Sequence, residues 1–347
     1  MKVLHLLSTK RFSGAENVVC QIMSIFRDEQ NVEMIYCSPD GQIKDALAER
    51  NLHFAPIGKL SVREVKRVIR EQKPDIIHAH DMGASFIAAL ACGRTPLISH
   101  IHNNNFNSRV LSAKSILYFL AALKARHIFW VSQSAFEGYV FHKSFKNKST
   151  VLYNIIDIDA LYKKMEADPN RYAFDVIYVG RLSYPKNPQR MMRIFAKIRD
   201  ICPQAKMAVV GTGELEEETK ALCVELNMQD HVQFLGFQSN PLRMLHDAKV
   251  MIMTSRWEGT PMCALEAMAL GVPVVSTPVD GLKVLVTNGE NGYLSDDDNE
   301  LAAKITEIIL DRNKRNAFHI KMKERAANMN NKDRYLSALL QVYRHAQ

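Results

Sequence analysis

Residues 249–276 read KVMIMTSRWEGTPMCALEAMALGVPVVS, and this stretch decides the fold class. It begins with the apolar run KVMIMT and ends with the apolar run VPVVS, and the helix-like segment MCALEAMAL lies between them. Neither apolar run alternates polar and apolar residues, which is typical of parallel strands that are covered on both faces. The stretch therefore predicts a strand, a helix and a second, parallel strand.

Similar apolar runs alternate with helical patterns along the whole chain. They are VLHLLS, VEMIYC, DIIHAH, PLISHIH and HIFWVS in the first half, and FDVIYVG, KMAVVG and HVQFLG before the two runs above. This alternation predicts an α/β protein with doubly wound, Rossmann-like parallel sheets. Two such series predict two domains, over residues 1–160 and 161–330. Residues 331–347 predict a final helix that can pack on either domain, including by crossing back to the first.

The composition is that of a globular protein, with 47% hydrophobic and 24% charged residues. No apolar run reaches the ~18 to 20 residues of a membrane span, and the apolar start of MKVLHLLSTKRF is too short for a signal peptide. The six cysteines include no C-x-x-C pair, which favours reduced thiols over disulfides or a zinc site. These observations predict a cytoplasmic protein.

The positive charge is concentrated in the first half of the chain. Residues 1–150 contain 20 Lys and Arg against 12 Asp and Glu, which accounts for the whole net charge of +8. This excess suits either an ordinary solvated surface or attraction to an anionic membrane face or a phosphate-bearing acceptor. The sharper expectation is peripheral contact with the inner face of the cell membrane. Because no nucleic-acid-binding motif accompanies the charge, we expect no nucleic-acid partner.

Ligands of open parallel sheets bind beyond the carboxyl ends of the strands, so the residues after each run carry the functional signal. FDVIYV is followed by GRLSYPKNP, in which Gly180 allows a close backbone approach and Arg181 and Lys186 supply two cations. Such a pair can clamp a diphosphate. The same residues also suit an ordinary basic loop.

Two further glycine turns follow strand-like runs. Gly211 and Gly213 come after KMAVV, but Glu216 stands where a nicotinamide-binding G-x-G-x-x-G needs its third glycine. Gly14 comes after the first run, at the start of a helical pattern. The amides there can hold an anion or form a simple turn.

Two carboxylates flank the start of the helix in the opening stretch. Thr260 and Pro261 predict the N-cap and the first helical residue, which places Glu258 in the preceding loop and Glu266 in the helix. A carboxylate accepts two strong hydrogen bonds, so each can hold a vicinal diol of a sugar or ribose. The alternative is a capping acid and an exposed helical glutamate.

The pattern E-G-x-P-x-x-x-x-E-A-M-A-x-G-x-P-V-V resembles the signature of retaining glycosyltransferases of family 4, with its E-x7-E motif. The matching residues are Glu258, Gly259, Pro261, Glu266, Ala267, Met268, Ala269, Gly271, Pro273, Val274 and Val275. S-G-A-E, the strand-end His102, VGRLSYPKN, GTGE and FLGF also match, in order. The resemblance spans nearly the whole chain. It implies the GT-B fold, with an acceptor-binding and a donor-binding Rossmann-like domain facing a central cleft.

The resemblance also implies roles for single residues. Arg181 and Lys186 bind the donor diphosphate, Glu266 the nucleotide ribose, and Glu258 the hydroxyls of the donor sugar. The implied donor site comprises Gly14, Gly180, Arg181, Lys186, Gly211, Gly213, Phe237, Glu258, Gly259, Thr260, Pro261, Met262 and Glu266. The implied catalytic group is His102, Glu258, Arg181 and Lys186, with His102 facing the donor sugar.

One polar run predicts the acceptor side, and two positions depart from the family pattern. The polar run HNNNFNSR predicts acceptor contacts by Asn103 and Arg109. Residues 154–157 read NIID where the family often has N-G-[I/V]-D, so the chain departs from the family at the hinge or at an acceptor contact. Asp280 and Gly281 stand where a Gly-Gly pair is usual, so it also departs at an anion-binding turn.

The patterns that resemble metal sites are all weak. The D-x-D patterns at residues 157–159 and 296–298 lie at a linker and at a helix cap, and the H-x-H of His78 and His80 lacks a matching third ligand. We therefore expect no metal and no cofactor. The resemblance implies front-face transfer with retention, in which the leaving phosphate takes the acceptor's proton.

The expected function is transfer of a hexose or N-acetylhexosamine from a nucleotide diphosphate sugar, UDP-linked, to a saccharide or lipid-linked acceptor. Cell-surface polysaccharide, capsule or glycoconjugate synthesis is the expected context. Two alternatives remain open from the sequence. One is an epimerase of the same fold that acts on the nucleotide sugar alone, and the other is a non-catalytic subunit that binds the nucleotide sugar.

Overall fold

The computed structural model describes residues 1–102 and 106–347, which divide into two compact units. The first unit contains Met1–Ile155 and Asn331–Gln347, and the second contains Ile156–Asn330. Each unit is built on one parallel sheet. Among the helices of the described residues, none combines the length and the apolarity that crossing a bilayer requires.

The sheet of the first unit has seven parallel strands. They are β1 (Lys2–Leu6), β2 (Glu33–Pro39), β3 (Phe54–Ile57), β4 (Ile76–His80), β5 (Leu97–Ile101), β6 (His127–Trp130) and β7 (Ser149–Val151). Their order is β3-β2-β1-β4-β5-β6-β7, so the winding reverses between β1 and β4. Such a reversal is where doubly wound sheets bind ligands.

The helices of the first unit cover this sheet. They are α1 (Gly14–Ile25), α2 (Ile43–Ala48), α3 (Val62–Gln72), α4 (Asp81–Ala91), α5 (Phe106–Arg109), α6 (Ala113–Lys124), α7 (Gln133–Glu137) and, at the end of the chain, α16 (Lys332–Ala346). Short 3-10 helices occupy Phe26–Asp28 and His142–Lys148. Tyr343 of α16 is fully buried, and its hydroxyl lies 2.7 Å from Nδ1 of His78 in β4.

The sheet of the second unit has six parallel strands. They are β8 (Val176–Val179), β9 (Met207–Val210), β10 (Val232–Gly236), β11 (Val250–Met253), β12 (Val274–Ser276) and β13 (Gly292–Leu294). Their order is β10-β9-β8-β11-β12-β13, so this sheet also reverses its winding, between β8 and β11. The helices are α8 (Ile158–Glu166), α9 (Pro188–Ile201), α10 (Glu216–Glu225), α11 (Leu242–Asp247), α12 (Met262–Leu270), α13 (Asp280–Leu285), α14 (Asp298–Leu310) and α15 (Arg312–Met329), with a 3-10 helix at Tyr184–Lys186.

The two doubly wound sheets confirm the predicted fold class, and every apolar run named above coincides with a strand. The sequence misses β3, β7 and β13, which all lie at sheet edges. They are only three or four residues long, and β3 contains Pro56. A domain boundary after residue 160 would divide α8, whereas the first unit ends at Ile155.

Candidate active site

Two loops that are far apart in the chain lie side by side in the second unit, because β8 and β11 are paired in the sheet. The loop after β8 carries Gly180 and Arg181 and leads into the 3-10 helix Tyr184–Lys186. The loop after β11 runs from Thr254 to Pro261, where α12 begins. Both loops follow carboxyl ends at the reversal of the winding, which is the usual ligand site of such sheets.

Lys186 and Glu258 form an ion pair between these two loops. Lys186 Nζ donates to Oε1 of Glu258, and the Ser255 hydroxyl donates to the same oxygen at 2.6 Å. The Glu258 side chain is only 8% exposed. Its Oε2 accepts no hydrogen bond from the residues that the structure describes. One carboxylate oxygen and two ammonium protons are therefore left to bind a ligand.

Lys186 is charged at neutral pH although it is partly buried. Burial is the largest single effect and lowers the pKa of Lys186, but the charge of Glu258, its hydrogen bond and the nearby Cys263 together raise this pKa above the ordinary lysine value. Burial also raises the pKa of the nearby Cys263 thiol to about 12. The lysine is therefore charged and the thiol is protonated, so Cys263 is not a thiolate nucleophile at neutral pH.

Arg181 adds a second cation beside Lys186. It is exposed, and within the described part of the chain its guanidinium makes no hydrogen bond or ion pair. Its charge acts on Lys186, since it lowers the pKa of that lysine against the stronger effect of Glu258. One cation is thus neutralised by a carboxylate and the other is not. This arrangement suits an anion that carries more than one negative charge.

Side-chain contacts hold the two loops together. Arg256 Nη2 donates to Oδ1 of Asn187 at 3.1 Å, and the Arg256 guanidinium lies 4.4 Å from the centre of the Tyr184 ring. The Thr254 hydroxyl donates to the carbonyl oxygen of Asn187 at 3.0 Å. Asn187 itself has a φ of 52°, which turns the chain from the 3-10 helix into α9. The backbone at Lys186 is therefore fixed from both sides.

The glycine turns after β8 and β9 pack backbone against backbone. A Cβ on Gly211 would lie 1.9 Å from the carbonyl oxygen of Gly180, and one on Gly213 would lie 2.1 Å from that of Leu182. The Leu182 amide donates to the carbonyl oxygen of Thr212 at 3.0 Å. The G-T-G sequence therefore supports the loop that carries Arg181. Direct donor contacts by Gly180, Gly211 and Gly213 stay a prediction.

Helix α12 begins one residue later than the sequence predicts. Its N-cap is Pro261 and its first residue is Met262. The prediction of Thr260 as the N-cap is wrong because Pro261 has an extended ψ of 123°, which no helical residue has. Glu258 does lie in the preceding loop, and Glu266 lies half-buried within the helix.

Gly281 of α13 packs directly against the Glu258 loop. A Cβ at Gly281 would lie 1.5 Å from the carbonyl oxygen of Gly259 and 3.1 Å from the Cα of Thr260. No residue with a side chain fits this approach. The chain departs from the family's Gly-Gly pair at the first position only, and it keeps the glycine that this contact requires.

Phe237 follows β10, the edge strand beyond β9. The residue is 62% exposed, which is unusual for a phenylalanine. The preceding Gly236 has a φ of 63°, which turns the chain out of the strand. An exposed aromatic ring at a strand end offers a stacking surface for a nucleotide base.

In the first unit, three imidazoles form a hydrogen-bonded chain. Nε2 of His102 lies 2.8 Å from Nδ1 of His80, and Nε2 of His80 lies 2.9 Å from Nδ1 of His5. Burial lowers the pKa of His102 to about 4 and that of His5 to about 3, so these rings are neutral at pH 7. A neutral imidazole carries one proton, so both bridging protons must point the same way along the chain. The tautomer of His102 is therefore coupled to those of His80 and His5.

His78 and His100 extend this chain into a cluster of five rings on neighbouring strands. The sequence predicts that His78 and His80 lack a third histidine, and this is wrong. His5 lies with His78 and His80, and His100 and His102 lie with His80. In each group of three, one nitrogen atom from every ring lies within 4.8 Å of the others. The rings are inclined to one another by only 11° to 37°. The in-plane lone pairs of nearly parallel rings do not converge on one ion, so the geometry favours packing around His102.

Glu16, in the first turn of α1, is a buried carboxylate that belongs to the S-G-A-E match and had no role predicted for it. Thr9 donates to its Oε1 at 2.7 Å, and the Ser13 hydroxyl donates to its Oε2. Its charge acts on His102, whose pKa it raises against the stronger effect of burial. The spacing S-x-x-E is a helix-start signal and could have located this residue. The position of a Cβ at Gly14 meets open space, which leaves the backbone there accessible.

The remaining predicted residues are placed as follows. Arg109 lies exposed at the end of α5, while Asn103 lies outside the described residues. Asp157 accepts a hydrogen bond from the Ala160 amide at 3.0 Å as the N-cap of α8. Asp298 of the second D-x-D pattern forms an ion pair with Arg190 at 2.7 Å. One aspartate of each D-x-D pattern is thus engaged, Asp157 in a helix cap and Asp298 in a surface ion pair.

Comparisons with known proteins agree with this architecture. The family model described as Glycosyltransferase Family 4 matches residues 12–160, and the model described as Glycosyl transferases group 1 matches residues 164–325. The chain is 27% identical over 343 residues to the N-acetylgalactosamine-N,N'-diacetylbacillosaminyl-diphospho-undecaprenol 4-alpha-N-acetylgalactosaminyltransferase of Campylobacter jejuni. This match covers 90% of the chain and 91% of the relative.

Two further comparisons extend this result. An uncharacterised glycosyltransferase of Methanocaldococcus jannaschii is 30% identical over 237 residues, which are 62% of this chain and 58% of that protein. The crystal structure of Anabaena HepE in complex with UDP-glucose superposes with a TM-score of 0.86 at 24% identity, over 98% of both chains. The two family models together account for nearly the whole chain, and the structural likeness shows the fold. The chain is therefore a glycosyltransferase of family 4 with the GT-B fold.

Proposed function

We propose that this glycosyltransferase moves a sugar, with retention, from a nucleotide diphosphate sugar to a saccharide or lipid-linked acceptor. The sugar is a hexose or N-acetylhexosamine, and the nucleotide is UDP. The Campylobacter relative is, by name, an N-acetylgalactosaminyltransferase for a diphospho-undecaprenol-linked saccharide, and the Anabaena neighbour was crystallised with UDP-glucose. Both support a role in the synthesis of surface polysaccharide or glycoconjugate.

The observation that carries this proposal is the Lys186–Glu258 pair with Arg181 beside it. A diphosphate can bind the unpaired guanidinium of Arg181 and the two remaining protons of Lys186. The unused Oε2 of Glu258 can accept a hydroxyl of the donor sugar at the same time. Glu266 binds the ribose and Phe237 stacks on the base. One polar cluster thus serves both ends of the bond that breaks.

In the reaction, the bond between the sugar C1 and the diphosphate oxygen breaks as the acceptor oxygen bonds to C1 on the same face. The leaving phosphate oxygen takes the proton of the acceptor hydroxyl. Negative charge grows on the diphosphate, where Arg181, Lys186 and the backbone N–H groups of Thr260 and Met262, at the start of α12, stabilise it. These groups supply the charge that a metal would otherwise provide, so we propose transfer without a metal. Glu258, held at Oε1 by two donors, positions the sugar.

The first unit would bind the acceptor. Its His102 is neutral at pH 7 and can donate or accept a hydrogen bond without adding charge. Asn103 and Arg109 are the proposed acceptor contacts. The basic character of residues 1–150 supports peripheral contact with an anionic membrane, which is where a lipid-linked acceptor resides.

Nucleotide release tests the proposal. Purified enzyme is screened with nucleotide sugars and undecaprenol-linked acceptors, with and without EDTA, and NMR of the product reports the anomeric configuration. We expect acceptor-dependent release that survives EDTA and is lost in Arg181→Ala, Lys186→Ala and Glu258→Ala. Sugar interconversion without an acceptor would establish the epimerase instead. Donor binding without any release would establish a non-catalytic subunit.

A further inference from the structure

Helix α6 is apolar on both its faces. Its inner face buries Tyr118, Ala121 and Ala122 against the first unit. Its outer face carries Ile116, Leu117, Leu120 and Leu123, which are 41% to 57% exposed. The spacing of these four residues places them on one stripe of the helix. A helix that is apolar all round is normally covered on every side, and this one is covered on one side only.

The apolar surface continues beyond α6. Leu111, just before the helix, is 72% exposed. Seven of the fourteen exposed large hydrophobic residues of the described chain lie within residues 110–140. Scattered exposed leucines need no explanation, but a concentration of this kind marks a surface that docks on something. We call Leu111, Ile116, Leu117, Leu120 and Leu123 the α6 face.

The charge around the α6 face is strongly positive. Residues 106–148 contain seven Lys and Arg and only one acidic residue, Glu137. Lys114 and Lys124 stand at the two ends of α6, and both are exposed. An apolar stripe bracketed by lysines is typical of helices that lie in the interface of an anionic bilayer, since long lysine side chains reach the phosphates while leucines enter the acyl boundary.

We propose that the α6 face is the surface through which the first unit lies on an anionic bilayer. The leucines and the isoleucine enter the boundary between headgroups and acyl chains, and Lys114 and Lys124 contact the lipid phosphates. This inference deepens the proposed function, because a lipid-linked acceptor is held in such a bilayer. It assigns the attraction between the basic first unit and an anionic membrane to one helix, α6. A second copy of the chain and an acidic protein are the competing occupants.

Vesicle co-sedimentation of the full chain tests this inference without donor or acceptor, so its outcome is independent of sugar transfer. The probes are vesicles of phosphatidylcholine with 40% phosphatidylglycerol and of phosphatidylcholine alone. The apolar variant is Ile116→Gln, Leu117→Gln, Leu120→Gln and Leu123→Gln, since glutamine retains helix propensity. The matched control is Ile201→Gln, Leu310→Gln and Ile320→Gln, which removes equally exposed apolar side chains from the second unit. Unchanged circular dichroism verifies that both are folded.

We expect the wild type and the control to bind the anionic vesicles, and the apolar variant to lose at least about tenfold in partition coefficient. Lys114→Gln with Lys124→Gln should lose about 25-fold at low salt, or about fivefold for each lysine. Lys59→Gln with Lys206→Gln is the charge-matched control. Equal vesicle binding by the apolar variant and the wild type would overturn the proposal. The proposal would also be overturned if the wild type is a dimer, the apolar variant is a monomer, and vesicle binding is absent or the same in both.

Discussion

Lys186 and Glu258 are 72 residues apart in the chain, and they form one ion pair because β8 and β11 are neighbours in the sheet. Ser255 donates to the same carboxylate oxygen, so the Glu258 side chain is fixed by two donors. In the donor site that we propose, this pair is preformed. It holds a cation and a carboxylate at a fixed separation before any ligand arrives, which avoids the cost of ordering both groups on binding.

Removal of one partner of this pair should harm both activity and stability. Lys186→Met leaves the buried Glu258 carboxylate with Ser255 as its one remaining donor, so we expect a loss of about 1–3 kcal/mol in the free energy of unfolding. It also removes the lysine cation that we propose contacts the diphosphate, so kcat/KM should fall about 10²- to 10³-fold. Urea denaturation and steady-state kinetics measure the two effects.

The double variant Lys186→Met with Glu258→Gln is the control for the stability effect. Its glutamine is neutral and can still accept from Ser255, so most of the lost stability should return while the activity stays low. If the double variant is as unstable as the sum of the two single variants, the two residues are not coupled and the ion pair is of no energetic importance.

Gly281→Ala should disrupt the Glu258 loop more than the addition of one methyl group suggests. The added methyl would meet the carbonyl oxygen of Gly259 at 1.5 Å, so α13 or the Glu258 loop must move. We expect a fall of more than about 2 kcal/mol in the free energy of unfolding, or a soluble protein with weakened nucleotide binding. Gly83→Ala is the matched control, because its Cβ meets open space within α4. If Gly281→Ala changes neither the free energy of unfolding nor nucleotide binding, the contact between Gly281 and Gly259 is not close.

The first unit should unfold in mild acid. The unfolded histidines have pKa values near the ordinary 6.5, whereas burial lowers the folded pKa to about 3 for His5 and about 4 for His102, and also lowers the pKa of His78, His80 and His100. Below pH 6.5 the unfolded state therefore binds more protons than the folded state. Stability is complete above that pH and falls by about 1.4 kcal/mol per pH unit for each group.

The two tryptophans separate the units in this test. Trp130 is buried in the first unit and Trp257 belongs to the second. The fluorescence of a Trp257→Phe variant, titrated from pH 8 to about pH 3, should show a cooperative transition between pH 6.5 and about 4. A first unit that stays folded down to pH 3 would contradict the presence of several neutral, buried histidines.

His80→Leu and His100→Leu should differ sharply although the two residues pair across β4 and β5. His80 bonds to both His5 and His102, so its loss leaves two buried nitrogens unsatisfied, which costs about 1–3 kcal/mol, and frees the ring of His102. Neither nitrogen of His100 has a partner within the described structure, so leucine there should be neutral or stabilising. Thermal denaturation checks stability, and a lower kcat in His80→Leu alone would reveal the orienting role of His80. Equal kcat values would refute it.

The fold was accessible from the sequence where strands are long and fully buried, because such strands are continuous apolar runs. The edge strands β3, β7 and β13 could not be predicted from the sequence, because a short strand with a single neighbour has no distinctive pattern. Arg181, Lys186 and Glu258 were chosen as candidates because polar residues that follow a buried strand stand out. The E-x7-E spacing also drew attention to Glu266, but its position in the helix depended on a cap that was misplaced by one residue.

The contacts that join distant segments were beyond the sequence. The Lys186–Glu258 pair depends on the order of the strands, and so does the histidine cluster, which gathers rings from β1, β4 and β5. Gly211 and Gly213 were assigned to ligand contact, and Gly281 was noted only as part of a departure from the family pattern. Close backbone packing explains why all three positions are glycines. A local pattern shows that a glycine is needed, but only the fold shows what approaches it.

The central claim is that Arg181 and Lys186 hold a donor diphosphate, and calorimetric titration with nucleoside diphosphates tests it most directly. UDP, GDP, ADP and CDP are titrated into the wild type, Arg181→Gln, Lys186→Met and the control Arg193→Gln, which replaces an exposed arginine of α9. We predict that one diphosphate, UDP, binds the wild type and the control well, and that Kd rises at least about tenfold in each of the other two variants. Equal affinity of all four proteins, or no binding of any nucleoside diphosphate, would contradict the account.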